Sequence, residues 1–218
     1  MSRFEAVIFD FGGVFTTSPV SNFAAFEREH NLPEMFIGGV IKANHHENAW
    51  AKFERSEIDL DAFDAAFAEE TRAAGFEMRG KTLVGLLSLQ FRDEMVTALR
   101  RVKSAGFKTG CITNNLPDLD STAMLAAGEK RARAEEVFGL FNHVIESSKV
   151  GMRKPEPRIY EMMCEALNAP PPACIFLDDL GINLKPAKAM GMATIKVPLD
   201  DVAPAVSTLF RLLELNAA

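Results

Sequence analysis

Short apolar runs that end abruptly in polar residues predict three strands in this chain. Each run is five or six residues long and is bounded by residues typical of turns, as expected for strands buried on both faces. The three runs, each with the polar residue that follows it, are Phe4–Phe9 before Asp10, Phe107–Ile112 before Thr113, and Ala173–Leu177 before Asp178 and Asp179.

Helical periodicity separates these strands. Apolar residues recur at helical spacing from Glu94 to Ala105 and from Pro157 to Leu167, and a shorter helix is predicted from Pro186 to Met190. Strands that alternate with helices predict an α/β fold, with a doubly wound parallel sheet and right-handed crossovers. Ligands of such sheets bind beyond the carboxyl ends of the strands. The polar residues that end the three strands are therefore expected to meet at one crevice.

Residues 20–90 interrupt the alternation, because they show helical periodicity without a convincing strand. Helices are predicted over Val20–His30, Glu34–Asn44 and Asp59–Ala74. We therefore predict a helical cap domain, residues 16–91, inserted into an α/β core that comprises residues 1–15 and 92–218.

The charge balance excludes several classes of partner. The 218 residues include 24 Lys and Arg against 30 Asp and Glu, a formal net charge of −6, which argues against a nucleic-acid-binding surface. No uninterrupted apolar run approaches the roughly 18 residues of a membrane span. The first residues lack the pattern of a signal peptide, so we expect a cytoplasmic protein. An oligomeric state is not predicted.

Four motifs in order carry the candidate chemistry. They are Asp10-Phe11-Gly12-Gly13-Val14, Ile112-Thr113-Asn114-Asn115, Gly151-Met152-Arg153-Lys154-Pro155-Glu156-Pro157, and Phe176-Leu177-Asp178-Asp179-Leu180-Gly181-Ile182-Asn183. Together they resemble the haloacid dehalogenase (HAD) superfamily over nearly the whole chain. Within it, they are most similar to the branch with the phosphatase domains of soluble epoxide hydrolase and acyl-CoA dehydrogenase family member 10, and with bacterial sugar-phosphate phosphatases.

The resemblance implies a Mg²⁺-dependent phosphatase that acts on a small phosphorylated substrate. Asp10 would be the nucleophile and form an aspartyl-phosphate, since covalent catalysis divides a difficult hydrolysis into two easier steps. Asp10, the carbonyl of Gly12 and Asp179 would hold the metal. Asp179 is preferred to Asp178 because Asn183 follows it by four residues, as in the common family motif.

The remaining motif residues are given supporting roles by the same resemblance. Thr113, Asn114 and Lys154 would bind the transferred phosphate, and Lys154 would also neutralise the nucleophile. Asp178 and Asn183 would lie behind the metal ligands. Arg153, beside Lys154, is equally compatible with phosphate binding and with a surface position.

Gly12 is a departure from the family pattern, because most phosphatases of the family carry a second Asp there as general acid. Either the leaving group departs unprotonated, or a substrate group, a water or a residue such as His45 or His46 replaces the acid. A histidine pair of this kind is more often a surface feature. Two other functions stay open: a phosphate-binding protein with negligible turnover, and a dehalogenase, which is disfavoured because a metal-free site has no use for Asp178 and Asp179.

Overall fold

The computed structural model describes residues 2–87, 90–117 and 129–215, and within these ranges five parallel strands form one sheet. The strands are β1 (Ala6–Phe9), β2 (Lys108–Thr113), β3 (His143–Glu146), β4 (Cys174–Asp178) and β5 (Ala193–Lys196), in the spatial order β3-β2-β1-β4-β5. The first strand of the chain is thus the central strand. Phe9 is in register with Cys111 of β2 and Leu177 of β4, so these three strands end together at one edge.

Eleven α-helices occur in the described residues. They are α1 (Val20–Glu29), α2 (Phe36–Lys42), α3 (Ala49–Glu54), α4 (Leu60–Ala73), α5 (Gly80–Gly85), α6 (Asp93–Ser104), α7 (Glu129–Phe138), α8 (Ser147–Val150), α9 (Pro157–Leu167), α10 (Gly181–Ala189) and α11 (Ala203–Leu212). A 3₁₀ turn, Pro171–Ala173, precedes β4. None of these helices is long and apolar enough to span a membrane.

Helices cover both faces of the sheet, because side chains of a strand alternate between faces. Val7 and Phe9 of β1 belong to an apolar cluster with residues of α6, α7 and α11. Ala6 and Ile8 belong to a second cluster with residues of α9 and α10. The predicted α/β class with a doubly wound parallel sheet is therefore confirmed.

Helices α1–α5, which we call the helical insert (Val20–Gly85), are built around a third apolar cluster, to which Leu87 and Leu116 contribute from outside the insert. Phe53 and Phe63 stack at its centre with ring centroids 4.5 Å apart. An antiparallel bridge between Thr16 and Phe91 joins the two chain segments that enter and leave the insert. The domain boundaries proposed from the sequence stay a prediction.

The structure differs from the sequence analysis in two strands, in the start of one helix and in five helices that were not predicted, α3, α5, α7, α8 and α11. The edge strands β3 and β5 were not predicted, since they are only partly buried and include polar residues. The helix predicted from Pro186 begins instead at Gly181, so that Pro186 lies inside α10. Proline is typical of a first helical turn, whereas Gly181 and Asn183 are weak helix formers, and the sequence therefore indicated too late a start.

Candidate active site

A buried lysine joins two carboxylates at the edge where β1 and β4 end. Lys154 Nζ lies 2.6 Å from Asp10 Oδ1 and 2.8 Å from Asp178 Oδ2, and its side chain is only 1% exposed. The Asp10 main-chain amide extends the sheet by donating to the Leu177 carbonyl at 2.8 Å. Rigid strand ends thus set Asp10 and Asp178 on either side of one cation.

Burial dominates the electrostatics of this group. It raises the pKa of Asp10 well above the ordinary value; Lys154 opposes that rise, and Asp178 and Asp179 add to it. Burial alone would lower the pKa of Lys154, but Asp10 and Asp178 outweigh it and the net shift is upward. Lys154 therefore keeps its positive charge. Three carboxyl groups lie around this single cation.

Asp178 and Asp179 differ in what their carboxylates contact. Asp178 accepts hydrogen bonds from the Leu180 amide at 2.7 Å and from Asn183 Nδ2 at 3.1 Å, besides its contact with Lys154. Asp179 accepts none from any other described residue. Burial, followed by the charge of Asp178, raises the pKa of Asp179 to about 6. The oxygens of Asp178 are thus hydrogen-bonded to other protein groups, whereas those of Asp179 are free of such contacts in the described residues.

The two glycines after Asp10 have opposite surroundings. Gly13 has a φ of +75°, and a Cβ there would lie 2.4 Å from Cγ of Asp179, so only glycine allows Asp179 its position. The sequence analysis missed this role, although a Gly pair directly after a strand was the available signal. A Cβ on Gly12 would meet no heavy atom of the described residues within 4 Å.

The donor set fits a hard divalent cation. One carboxylate oxygen from each of Asp10, Asp178 and Asp179 can be chosen so that all three lie within 4.8 Å of one another. Both oxygens of Asp178 already accept hydrogen bonds, whereas Oδ2 of Asp10 and the Asp179 carboxylate accept none from another described residue, so Asp10 and Asp179 have oxygens left for a metal. Oxygen ligands with room for water are what Mg²⁺ prefers, and the surplus negative charge favours a cation at this place.

Thr113 and Asn114 stand at the end of β2, beside this group. The Thr113 hydroxyl, on a residue that is 5% exposed, hydrogen-bonds to none of the residues described. The Asn114 amide is engaged by Lys154, whose main-chain N–H donates to Asn114 Oδ1 at 2.8 Å and whose carbonyl accepts from Nδ2 at 3.0 Å. The Asn114 side chain therefore fixes the backbone that carries Lys154.

Asn115 is a buried residue that the sequence analysis did not single out. Its Oδ1 accepts from the amide of Ser148 at 3.1 Å and from that residue's hydroxyl at 2.8 Å. Its main-chain N–H donates to Ser147 Oγ at 3.0 Å. Asn115 thus ties the end of β2 to the start of α8. The only sequence signal was its place in the Asn pair that follows a buried strand.

The two histidines lie in the helical insert. His45 and His46 occupy the turn between α2 and α3, with ring centroids 3.9 Å apart; His46 is exposed and His45 half-buried. Neither ring hydrogen-bonds to Asp10 or Lys154. Burial, the charge of His46 and that of Arg153 lower the pKa of His45. The carbonyl of His45 accepts a hydrogen bond from Arg153 Nη1 at 2.7 Å.

Comparison with known proteins gives a family match and several relatives. The family model of haloacid dehalogenase-like hydrolases matches residues 4–191. Bifunctional epoxide hydrolase 2 of Sus scrofa is 31% identical over 91% of this chain, which spans only 37% of that protein's length. A sesquiterpene phosphatase of Aspergillus oryzae is 27% identical over 88% of each chain.

Solved structures share the fold at lower identity. A HAD family enzyme of Bacteroides thetaiotaomicron, in complex with magnesium and inorganic phosphate, is 18% identical and has a TM-score of 0.61, covering 95% of this chain and 100% of its own. L-2-haloacid dehalogenase of Xanthobacter autotrophicus is 20% identical with a TM-score of 0.60, over 96% and 88% of the two chains. An enzyme that binds inorganic phosphate and a haloacid dehalogenase therefore share this fold.

Proposed function

The chain belongs to the haloacid dehalogenase-like hydrolase family, and we propose that it is a Mg²⁺-dependent phosphatase of small phosphomonoesters that works through an aspartyl-phosphate at Asp10. The observation that carries the proposal is the buried contact of Lys154 Nζ with Asp10, 2.6 Å away, beside the free carboxylate of Asp179. A phosphatase needs both a held nucleophile and a second carboxylate for a cation. The phosphatase among the relatives supports this choice.

The metal would be held by Asp10, Asp179 and the carbonyl of Gly12. Mg²⁺, when bound, supplies the positive charge that offsets the phosphate oxygens as an anionic nucleophile approaches them. Asp178 keeps its place behind this set, since its oxygens already accept hydrogen bonds from Asn183 and Leu180.

The chain's own residues would perform the transfer in two displacements. A carboxylate oxygen of Asp10 bonds to phosphorus as the bond between phosphorus and the leaving-group oxygen breaks. The leaving-group oxygen then takes a proton from water. Lys154 and the Thr113 hydroxyl face the negative charge that shifts onto the phosphoryl oxygens. Water then attacks phosphorus, the bond to Asp10 breaks, and inorganic phosphate leaves. The helical insert would cover the site and exclude bulk water.

Phosphate release with a panel of phosphorylated metabolites in the presence of Mg²⁺ tests the function. We expect turnover of at least one phosphomonoester, and its loss when EDTA removes the metal, because the carboxylates of Asp10 and Asp179 then repel the anionic substrate. Activity that survives EDTA, together with halide release from a 2-haloacid, would instead show a dehalogenase. Phosphate binding with no turnover on the whole panel would show a binding protein.

Restoring the missing acid has a predictable selectivity. Gly12→Asp is sterically allowed, since no described heavy atom lies within 4 Å of a Cβ there. We expect kcat/KM for an alkyl phosphate to rise by about 10²-fold or more, because general acid catalysis contributes on that order, and for p-nitrophenyl phosphate to change little. The aryl leaving group departs without a proton. Equal effects on both substrates would refute the idea that an acid is missing.

A further inference from the structure

One buried ion pair connects the helical insert to the loop that carries the active-site lysine. Arg153 Nε lies 2.5 Å from Oε2 of Glu54, at the end of α3, and the two side chains are only 11% and 6% exposed. Nη1 of the same guanidinium donates a hydrogen bond to the carbonyl of His45 at 2.7 Å. Arg153 thus points into the insert. The sequence had left open whether this side chain binds phosphate or lies at the surface.

The Glu54 carboxyl lies against the guanidinium in a buried setting, and the net shift of its pKa is upward. Burial raises its pKa, whereas the charge of Arg153 and hydrogen bonds from Arg153 and Trp50 oppose that rise. A buried charge without a partner is costly, so each member of the Glu54–Arg153 pair requires the other. Once separated and exposed to water, both would be solvated at little cost.

Two further contacts join the same surfaces. Arg55 Nη1 lies 3.8 Å from Oε1 of Glu156, and that oxygen also accepts from the main-chain amide of Arg153 at 3.3 Å. Ser56 Oγ donates to the carbonyl of Ser148 at 2.7 Å. The end of α3 therefore meets both the start of α8 and the loop before α9.

A single peptide bond links Arg153 to Lys154, the residue that contacts Asp10. Lys154 follows directly, and the Asn114 amide clamps its main chain on both sides. The Lys154 side chain then extends to Asp10 and Asp178. The Asn114 amide and the contacts of Arg153 thus hold this stretch of backbone together, so loss of the Arg153 contacts would loosen the support of the ammonium group.

We propose that the Glu54–Arg153 pair is a positioning device that sets Lys154 against Asp10 when the helical insert is seated on the core. The proposal rests on the proposed function for its kinetic consequences. A buried ion pair is specific in geometry but adds little net stability, because desolvation offsets most of its attraction. It therefore suits an interface that must close in one arrangement and reopen in every cycle.

The test uses the full chain and four variants. Glu54→Gln and Arg153→Gln each remove one charge, and the double variant Glu54→Arg with Arg153→Glu reverses the pair. Glu77→Gln is the matched control, since it breaks the exposed pair with Arg72 in the same insert. The readouts are kcat and KM for p-nitrophenyl phosphate with Mg²⁺, and hydrogen exchange of the segment 151–156.

The expected result is a loss of about 10²-fold in kcat/KM for each single variant, the size typical of a misplaced catalytic group. Hydrogen exchange of segment 151–156 should quicken in the same variants. The reversed pair should recover at least part of the kcat/KM and part of the protection from exchange. Glu77→Gln should match the parent in both. Unchanged exchange in Glu54→Gln, or no recovery in the reversed pair while the fold is intact by circular dichroism, would overturn the proposal. Because exchange is measured without substrate, an inactive parent would refute the phosphatase proposal and leave this test standing.

Discussion

Asp10→Asn is expected to reduce phosphate release by on the order of 10⁴-fold or more, since removal of a covalent nucleophile leaves only binding and electrostatic effects. The substitution preserves shape and keeps an oxygen that can accept the hydrogen bond from the Phe11 amide. Lys154 keeps its contact with Asp178. The loss would therefore report chemistry rather than collapse of the site.

Two measurements make this result decisive. Phosphate release is compared between the parent and Asp10→Asn, and the parent is quenched in acid during turnover so that mass spectrometry can locate a phosphorylated residue. A phosphoryl group on the peptide that contains Asp10 is expected. Asp93→Asn serves as control, because Asp93 is an exposed acid that pairs with Arg133 on the surface. Turnover by Asp10→Asn near that of the parent would refute the proposed nucleophile.

Lys154→Met is expected to lower both activity and stability. The methionine fills a similar volume but leaves Asp10 and Asp178 buried without their common cation. Breaking a buried pair by removing one partner costs about 3–5 kcal/mol of unfolding free energy. The pKa of Asp10 would rise further, because the charge that now opposes the effect of burial is gone. Less of the nucleophile would be ionised.

Urea unfolding and phosphate release measure the two effects separately. Lys81→Met provides the matched control, since Lys81 is exposed and pairs with Asp61 on the surface of the insert. We expect that control to unfold at nearly the same urea concentration as the parent, because an exposed ion pair contributes little to stability. A Lys154→Met protein as stable as the parent would contradict the bridging role given to this lysine.

The central strands and their polar ends were predictable because their signals are local. β1 and β4 are buried at every position, which produces the continuous apolar runs that end at Asp10 and Asp178. The edge strands β3 and β5 have one neighbour each, and polar residues such as His143 and Lys196 interrupt their apolar pattern. Their sequences therefore resemble those of loops.

Contacts that depend on how distant segments meet were not predictable. Nothing near Glu54 in sequence indicates that it pairs with Arg153, since the two are 99 residues apart, one at the end of α3 and the other in the loop before α9. Gly13 is similar, because its requirement comes from the Asp179 carboxylate across the sheet edge. The resemblance predicted which residues would carry the chemistry, whereas the structure shows which groups those residues contact.

The central position of β1 has a consequence for the order in which the molecule matures during synthesis. Asp10 follows β1, which precedes its partner strands in the chain, so β1 gains its neighbours only when Lys108–Thr113 and then Cys174–Asp178 have emerged. Lys154 emerges between them. A nascent chain that stops before β4 therefore holds Asp10 without the second acid of the Lys154 bridge. Since pairing over such separations is slow, the Lys154 bridge should form only after β4 has emerged and paired with β1.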